Sequence, residues 1–337
     1  MENIKELFEK YILDITGERL ENLNIVVCGL ELQICGGVLK YLDDSVPIKL
    51  VSFDLRTAGY IYDNHECKLP EEYMPYTSNT IVLVSLLYEY EYQNVVKKFE
   101  SIGIEENQIY HVRSFSEELL KKTADYYAQN KMDLKVKELF DKIGRDISTI
   151  NYVDIGANNY LLYNNTYLFY RAGAKGVLVE ANHDFAEILR SNRPNDILCL
   201  AGCSDCDNQE GMTYYKTNRA GYNTFVEEIA NGYGEKGIDI VETFKVPIYG
   251  INTILEKYVP EGHIDYMSID IEGMGDRVLD ALDFSKYSID ILLIEMEFNT
   301  DVSRQLYLKL KKLGYQAQYR GIGGGKDFLF YKKEVFE

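Results

Sequence analysis

Tyr152-Val153-Asp154-Ile155-Gly156-Ala157-Asn158-Asn159, followed downstream by Val177-Leu178-Val179-Glu180, is the stretch whose reading decides the fold. The first run reads as a short buried strand ending in a tight glycine turn, where backbone without a Cβ lets a ligand approach. A helix should follow, and the second run is another buried strand, closed by a carboxylate. A carboxylate there can accept a hydrogen bond from each of the two hydroxyls of a ribose, so the pair outlines a nucleoside-binding site. An ordinary βαβ unit with a loop Asp and a surface Glu is the competing reading of either half alone.

The same alternation continues to the end of the chain. Apolar runs predict strands at 152–155, 176–180, 196–201, 264–270, 289–295, 315–319 and 327–331. Helical spacing predicts helices around 160–172, 184–192, 251–258, 273–282 and 302–313. Repeated strand and helix means a doubly wound α/β sheet. The last two strands, joined through Gly321-Ile322-Gly323-Gly324-Gly325, should form a hairpin and so place one antiparallel strand at or near the sheet edge.

Towards the N-terminus the pattern repeats with different punctuation. A helix over the first 20 residues precedes the strand Asn24–Gly29, a helix through Gly36 and Leu42, and the strand Lys49–Asp54. This is a Rossmann-type βαβ unit, but its loop Gly29-Leu30-Glu31-Leu32-Gln33-Ile34-Cys35-Gly36 lacks the second glycine of G-x-G-x-x-G, where backbone meets a pyrophosphate. Thr80–Ser85 and Gln108–Val112 continue the sheet, with a helix from Tyr92 to Ile102 between them. A charged helical region runs from Ser114 to about Arg145, and the domain boundary is placed inside it, giving a Rossmann-like domain over 1–130 and a second over 131–337.

Composition sets outer limits. At 337 residues the chain is long enough for two domains, each with its own core. A net charge of -18, from 54 acids against 36 bases, repels a phosphate backbone, and no Lys/Arg stripe offsets it, so nucleic acid is excluded as a partner. No apolar run approaches the ~20 residues of a membrane span. The N-terminus Met1–Phe8 is amphipathic and charged rather than an apolar signal segment, and Cys28, Cys35 and Cys67 form no disulfide framework. A cytoplasmic protein with reduced thiols is expected; a homo-oligomer is compatible with the sequence, which does not fix it.

After its first strand the second domain carries Asp154-x-Gly156-Ala157-Asn158 in place of a dinucleotide glycine pattern. Together with Val179-Glu180, Tyr266-Met267-Ser268-Ile269-Asp270-Ile271-Glu272-Gly273, Val278-Leu279 and Leu293-Ile294-Glu295, it resembles the FkbM family of methyltransferases, in matching order over about residues 150–331. The first domain resembles the Rossmann-like segment that precedes this catalytic domain in some bacterial sugar-modifying proteins. The resemblance implies a class I methyltransferase fold for the C-terminal domain, with a mostly parallel sheet, and S-adenosylmethionine as cofactor. It also implies O-methyl transfer to a sugar or related small-molecule or glycan hydroxyl, as in polysaccharide biosynthesis. Two positions depart from the family pattern: Tyr160 stands where a glycine is common, and Gly275 where an acid is common, with Asp276 one step later.

Carried over by position, the resemblance assigns Gly156 to close approach of the methionine part of the cofactor. It gives Asp154 and Asn158 to loop order or the amino-acid moiety, Glu180 to the ribose, and Ser204 and Asp205 to the neighbourhood of the adenine. Asp270 and Glu272 alternate at the carboxyl end of one strand, as do Glu295 and Glu297 at another, and ligands of open α/β sheets bind outside those ends. Asp270 and Glu295 are therefore the candidates for the base that takes the acceptor's proton, with Asp270 also beside the cofactor and Glu272 supporting the turn at Gly273. Surface or helix-capping acids are the bland reading of the same residues. His183 follows Glu180 closely enough to reach the cofactor, though a polar helix start explains it equally.

Other features compete. Cys199-Leu200-Ala201-Gly202-Cys203-Ser204-Asp205-Cys206 has the C-x₃-C-x₂-C spacing of a radical-enzyme cluster, but Cys199 falls inside a predicted strand. Asn218, Arg219, Tyr222 and Asn223 lie in a long polar segment before Val246, suited to a lid or an acceptor site. No metal is assigned. The alternatives to a methyltransferase are a non-catalytic Rossmann-type binding or scaffolding protein, in which Tyr160 closes the cofactor loop, and a nucleotide-sugar oxidoreductase using the N-terminal domain.

Overall fold

The computed structural model describes residues 4–28, 48–53, 58–62, 65–86, 89–296, 300–320 and 326–337. The Gly29–Gly36 loop, the helix expected after it, Asp54, Glu297 and the glycines 321–325 lie outside the described residues. The chain divides into two compact units, Met1–Asp125 and Tyr126–Glu337. Among the described residues no helix is long and apolar enough to cross a membrane.

In the first unit six strands, β1 (Asn24–Cys28), β2 (Ile48–Val51), β3 (Ile61–Tyr62), β4 (His65–Lys68), β5 (Thr80–Val84) and β6 (Ile109–His111), make one sheet in the order β3-β4-β2-β1-β5-β6. All pairings are parallel except β3 with β4. Successive strand residues point to opposite faces. Ile25, Val27 and Leu83 therefore meet Phe8 and Ile12 of helix Ile4–Thr16, whereas Val26, Val82 and Val84 meet Val96 and Phe99 of helix Glu89–Ser101. Cover on both faces is what makes the central strands apolar throughout.

The second unit is built on β7 (Asn151–Ile155), β8 (Lys175–Glu180), β9 (Ile197–Leu200), β13 (His263–Ile269), β14 (Ser288–Glu295), β15 (Tyr315–Arg320) and β16 (Asp327–Lys332). Their order is β15-β16-β14-β13-β7-β8-β9, all parallel save β16, which runs antiparallel to both neighbours. This is the class I methyltransferase arrangement expected from the sequence, with the reversed strand one place in from the edge. Val153, Ile155, Val177 and Val179 pack one face against helices Ile251–Tyr258, Gly275–Ala281 and Asp301–Lys312. On the other, Phe169 stands edge-on to Tyr266 of β13 and to Phe140 of helix Met132–Lys142. Strand order reverses between β7 and β13, since the chain runs from β7 to β8 and β9 on one side and fills β13 and β14 on the other. A crevice opens outside the carboxyl ends at such a switch point.

Two expectations change. The helix expected over 160–172 is confined to Tyr167–Ala172. In the loop before it, Asn159 Oδ1 accepts from the backbone N–H groups of Leu161 and Leu162, and the Asn164 amide donates to the carbonyls of Ala157 and Asn159. These side chains occupy backbone groups that a helix would have used. The long polar segment before Val246 is flanked by a second, three-stranded sheet of β10 (Gly202–Ser204), β12 (Ile240–Gly250) and β11 (Asn208–Thr217) in that order, with Asn218, Arg219, Tyr222 and Asn223 in the connection between β11 and β12. Most of β12 is exposed on both faces, so the apolar alternation that signals a strand is missing there.

Candidate active site

Gly156 ends β7 with φ +91°, and a Cβ added to it lies 2.0 Å from the carbonyl oxygen of Asp270. The nearest obstacle is thus protein: Asp270 N–H donates to the Ile155 carbonyl (2.9 Å), and the two strand ends touch where a side chain would stand. Close approach at this glycine is demanded by the β7–β13 contact itself, which the reading of the glycine as a ligand contact alone did not foresee.

Glu180 ends β8 with both oxygens engaged. One accepts the Asn158 N–H (2.7 Å), the other the Asn182 N–H (2.6 Å). Its burial pushes the carboxyl up to about 7, against the pull of those two donors. A carboxylate offers about four lone-pair positions, so each oxygen keeps one for a ribose hydroxyl. Asn158 itself sits at φ 49°, and its buried Oδ1 has no hydrogen-bond partner.

Asp154 faces the opposite side of the sheet from Val153 and Ile155. It is buried, accepts from Thr166 Oγ1 (2.7 Å), and is raised to about 6 by burial. Arg193, fully buried, donates to Asp196 (2.8 Å), Tyr152 (2.9 Å), Thr166 (3.1 Å), Asn164 (3.2 Å) and the Tyr160 carbonyl (3.4 Å). Asp154 and Arg193 therefore hold the loop 157–166 from beneath. The Tyr160 ring is buried in this network, edge-on to Tyr167, so the departure from the family glycine supplies core packing. Ser204 donates to Asp205 (2.7 Å), which also pairs with Arg277 (3.1 Å). His183 packs edge-on to Phe244 of β12.

At the mouth of β13 and β14 the structure brings Asp270, Glu272 and Glu295 together. Asp270 is open to solvent yet closely ringed by protein atoms, the situation of a side chain lining a cleft. Burial, then the charges of Asp327, Glu272 and Asp154, push its carboxyl up; burial, then Asp270 and Glu272, push Glu295 up. Lys326, 3.9 Å from Glu295, opposes this in part. The Asn165 amide reaches Asp270 (3.4 Å) and Ser268 (3.1 Å), linking the acid to the β7 loop. Asp327 and Asn165 were missed by sequence reasoning. Asp327 comes beside Glu295 only through the antiparallel register of β16, which no local motif encodes.

The Cys199–Cys206 spacing makes no cluster site: Cys199 and Cys203 lie in the apolar core, where burial raises both thiols, and Cys206 is exposed. Among the described residues the group close enough to share an ion is His263, Asp265 and Asp290, at the opposite ends of β13 and β14. Arg145 already pairs with both of those carboxylates.

Residues 154–317 match the methyltransferase FkbM domain. The second unit carries an FkbM methyltransferase domain. No curated protein matches the chain. Among solved structures, the Bacillus cereus O-methyltransferase in complex with SAH is 12% identical with a TM-score of 0.36, over 72% of this chain and 97% of that one. The precorrin-6y C5,15-methyltransferase of Geobacter metallireducens GS-15 is 11% identical with a TM-score of 0.30, over 62% and 95%. The fold rests on strand order. The FkbM domain is a methyltransferase whose cofactor is S-adenosylmethionine. Its residues fit that group: the unpaired Asn158 Oδ1 suits an ammonium, and Glu180 keeps acceptor capacity for the ribose.

Proposed function

We propose that the FkbM domain transfers the methyl group to a hydroxyl of a sugar or related small molecule, with Glu180 and Asn158 holding the donor and Asp270 acting as base. When bound, S-adenosylmethionine supplies an electrophilic methyl on a sulfonium. Held by Glu180 and Asn158, that group would give its methyl to an acceptor oxygen and become S-adenosylhomocysteine. Chain residues contribute alignment, which can supply up to ~7–11 kcal/mol of the barrier, and a place for the acceptor proton. Burial raises both Asp270 and Glu295, and the Asp270 charge raises Glu295 further, so an ionised Asp270 is a stronger base than an ordinary carboxylate. Glu272 keeps the turn at Gly273 in place, its carbonyl accepting from Thr224 (2.9 Å).

The observation that carries this reading is the contact between Gly156 and the Asp270 carbonyl, which puts the cofactor loop and the acid pair on one mouth of the sheet. Calorimetric titration with S-adenosylmethionine and S-adenosylhomocysteine tests it. Both should bind, and Glu180→Ala should weaken both; Asp270→Asn should bind them normally while labelled methyl transfer to a panel of nucleotide sugars and glycans is lost. Absence of binding to either compound would end the proposal.

A further inference from the structure

Tyr233 follows helix Glu227–Asn231 and closes a small cluster with Ala230 and Ile238, against which Tyr215 and Ile229 pack. Its ring is 2% exposed, with Tyr222 edge-on at 6.1 Å. The hydroxyl is buried as well, and it has no hydrogen-bond partner. Buried tyrosines ordinarily find a partner for the O–H, because an unpaired one costs about 1–3 kcal/mol. Glu272 and Glu295 lie close enough for their charges to act on this phenol. They are outside hydrogen-bond distance of it.

The aim of the ring is fixed by packing. A Cβ on Gly273 would stand 2.3 Å from Ile229 Cδ1, and Val226 lies on the same spot at 3.2 Å. Thr224 ties the same segment to the Glu272 carbonyl. The stretch from Thr224 to Ile238 is thereby clamped on the turn after β13, and it carries an unsatisfied phenol within reach of the charges of Glu272 and Glu295.

We propose that Tyr233 is an acceptor-positioning residue, its phenol hydrogen-bonding an acceptor oxygen that lies between it and the Glu272–Glu295 pair, and that the acceptor portion held there is an uncharged polyol. This rests on the methyl-transfer reading above. An ionised carboxylate only accepts, whereas a phenol donates or accepts, so the group between them must bring O–H donors and an oxygen lone pair. A hydroxyl brings both. A uronate or phosphate at the same place would face Asp270, Glu272, Glu295 and Asp327, with Lys326 offsetting part of that charge.

The test uses the full chain saturated with S-adenosylhomocysteine and labelled with ¹³C at tyrosine Cζ. The Tyr233 resonance is the one missing from Tyr233→Phe, a variant that removes the hydroxyl and keeps the ring. Methyl glucoside should move that resonance, and glucuronate should not. By calorimetry, Tyr233→Phe should bind methyl glucoside about tenfold more weakly, the loss expected when a buried hydrogen bond is removed, with S-adenosylhomocysteine affinity unchanged and the unfolding midpoint of the ligand-free protein no lower than the parent's. A resonance that moves with glucuronate overturns the uncharged class. A resonance that moves with neither, or methyl glucoside affinity equal in the two proteins, overturns the role of Tyr233. Failure of S-adenosylhomocysteine to bind at all rejects the methyl-transfer reading instead.

Discussion

Gly156→Ala separates two reasons for a glycine at the mouth of β7. If the residue serves only a ligand, the cofactor-free protein should tolerate a methyl group there. The structure predicts otherwise. Backbone at φ +91° costs a non-glycine residue ~1–2 kcal/mol, and the new Cβ would lie 2.0 Å from the Asp270 carbonyl oxygen and 3.0 Å from Ile271 Cγ2. Ordinary contact requires the two strand ends to part by roughly 1 Å or more, an overpacking strain of ~1–3 kcal/mol. Together these amount to about 2–5 kcal/mol, a large share of the ~5–15 kcal/mol that holds a typical domain. Denaturant unfolding of the cofactor-free protein, followed by circular dichroism, should show the loss in the transition of Tyr126–Glu337, with that of Met1–Asp125 unmoved. Activity should fall too, because the strand pushed aside carries Asp270. An alanine variant that unfolds like the parent and loses only S-adenosylhomocysteine binding would refute the β7–β13 argument.

Two further outcomes follow from the charged groups of the second unit. Asp270 and Glu295 are raised above the usual carboxylate range, so a base drawn from this pair is lost as pH falls through the raised value, and the rising limb of kcat/KM should lie above that range. Asp327→Asn removes the largest of the neighbouring charges acting on Asp270 and should shift the limb to lower pH; a pH–rate profile that does not move would remove Asp270 as the base. Arg193→Met removes the cation paired with the buried Asp196, leaving it the Tyr152 hydroxyl and the Gly176 N–H, and should destabilise the second unit by about 3 kcal/mol, the low end for a broken buried ion pair, measured by urea unfolding. It should also weaken S-adenosylhomocysteine binding by freeing the loop 157–166; a variant as stable as the parent would mean that Asp196 finds another partner.

Much of this protein is written locally. Val153 and Ile155, Val177 and Val179, and the run Ile291–Ile294 are apolar because their strands are covered on both faces, and that alone predicts a doubly wound sheet. Glycine at 156 and acids at 180, 270 and 295 are likewise legible, since strand-end position follows from where each apolar run stops. Tertiary structure decided what those residues touch. Gly156 is required by the Asp270 carbonyl, 114 positions away in sequence, and Glu180 is held by the N–H groups of Asn158 and Asn182. Asp327 enters through strand register, and Tyr233 through a segment clamped on Gly273. The asparagines that stop the helix before Tyr167 act through side-chain bonds that periodicity does not register. Sequence fixes which groups end each strand because burial is periodic along the chain; which ends meet depends on contacts between strands, and those have no period to read.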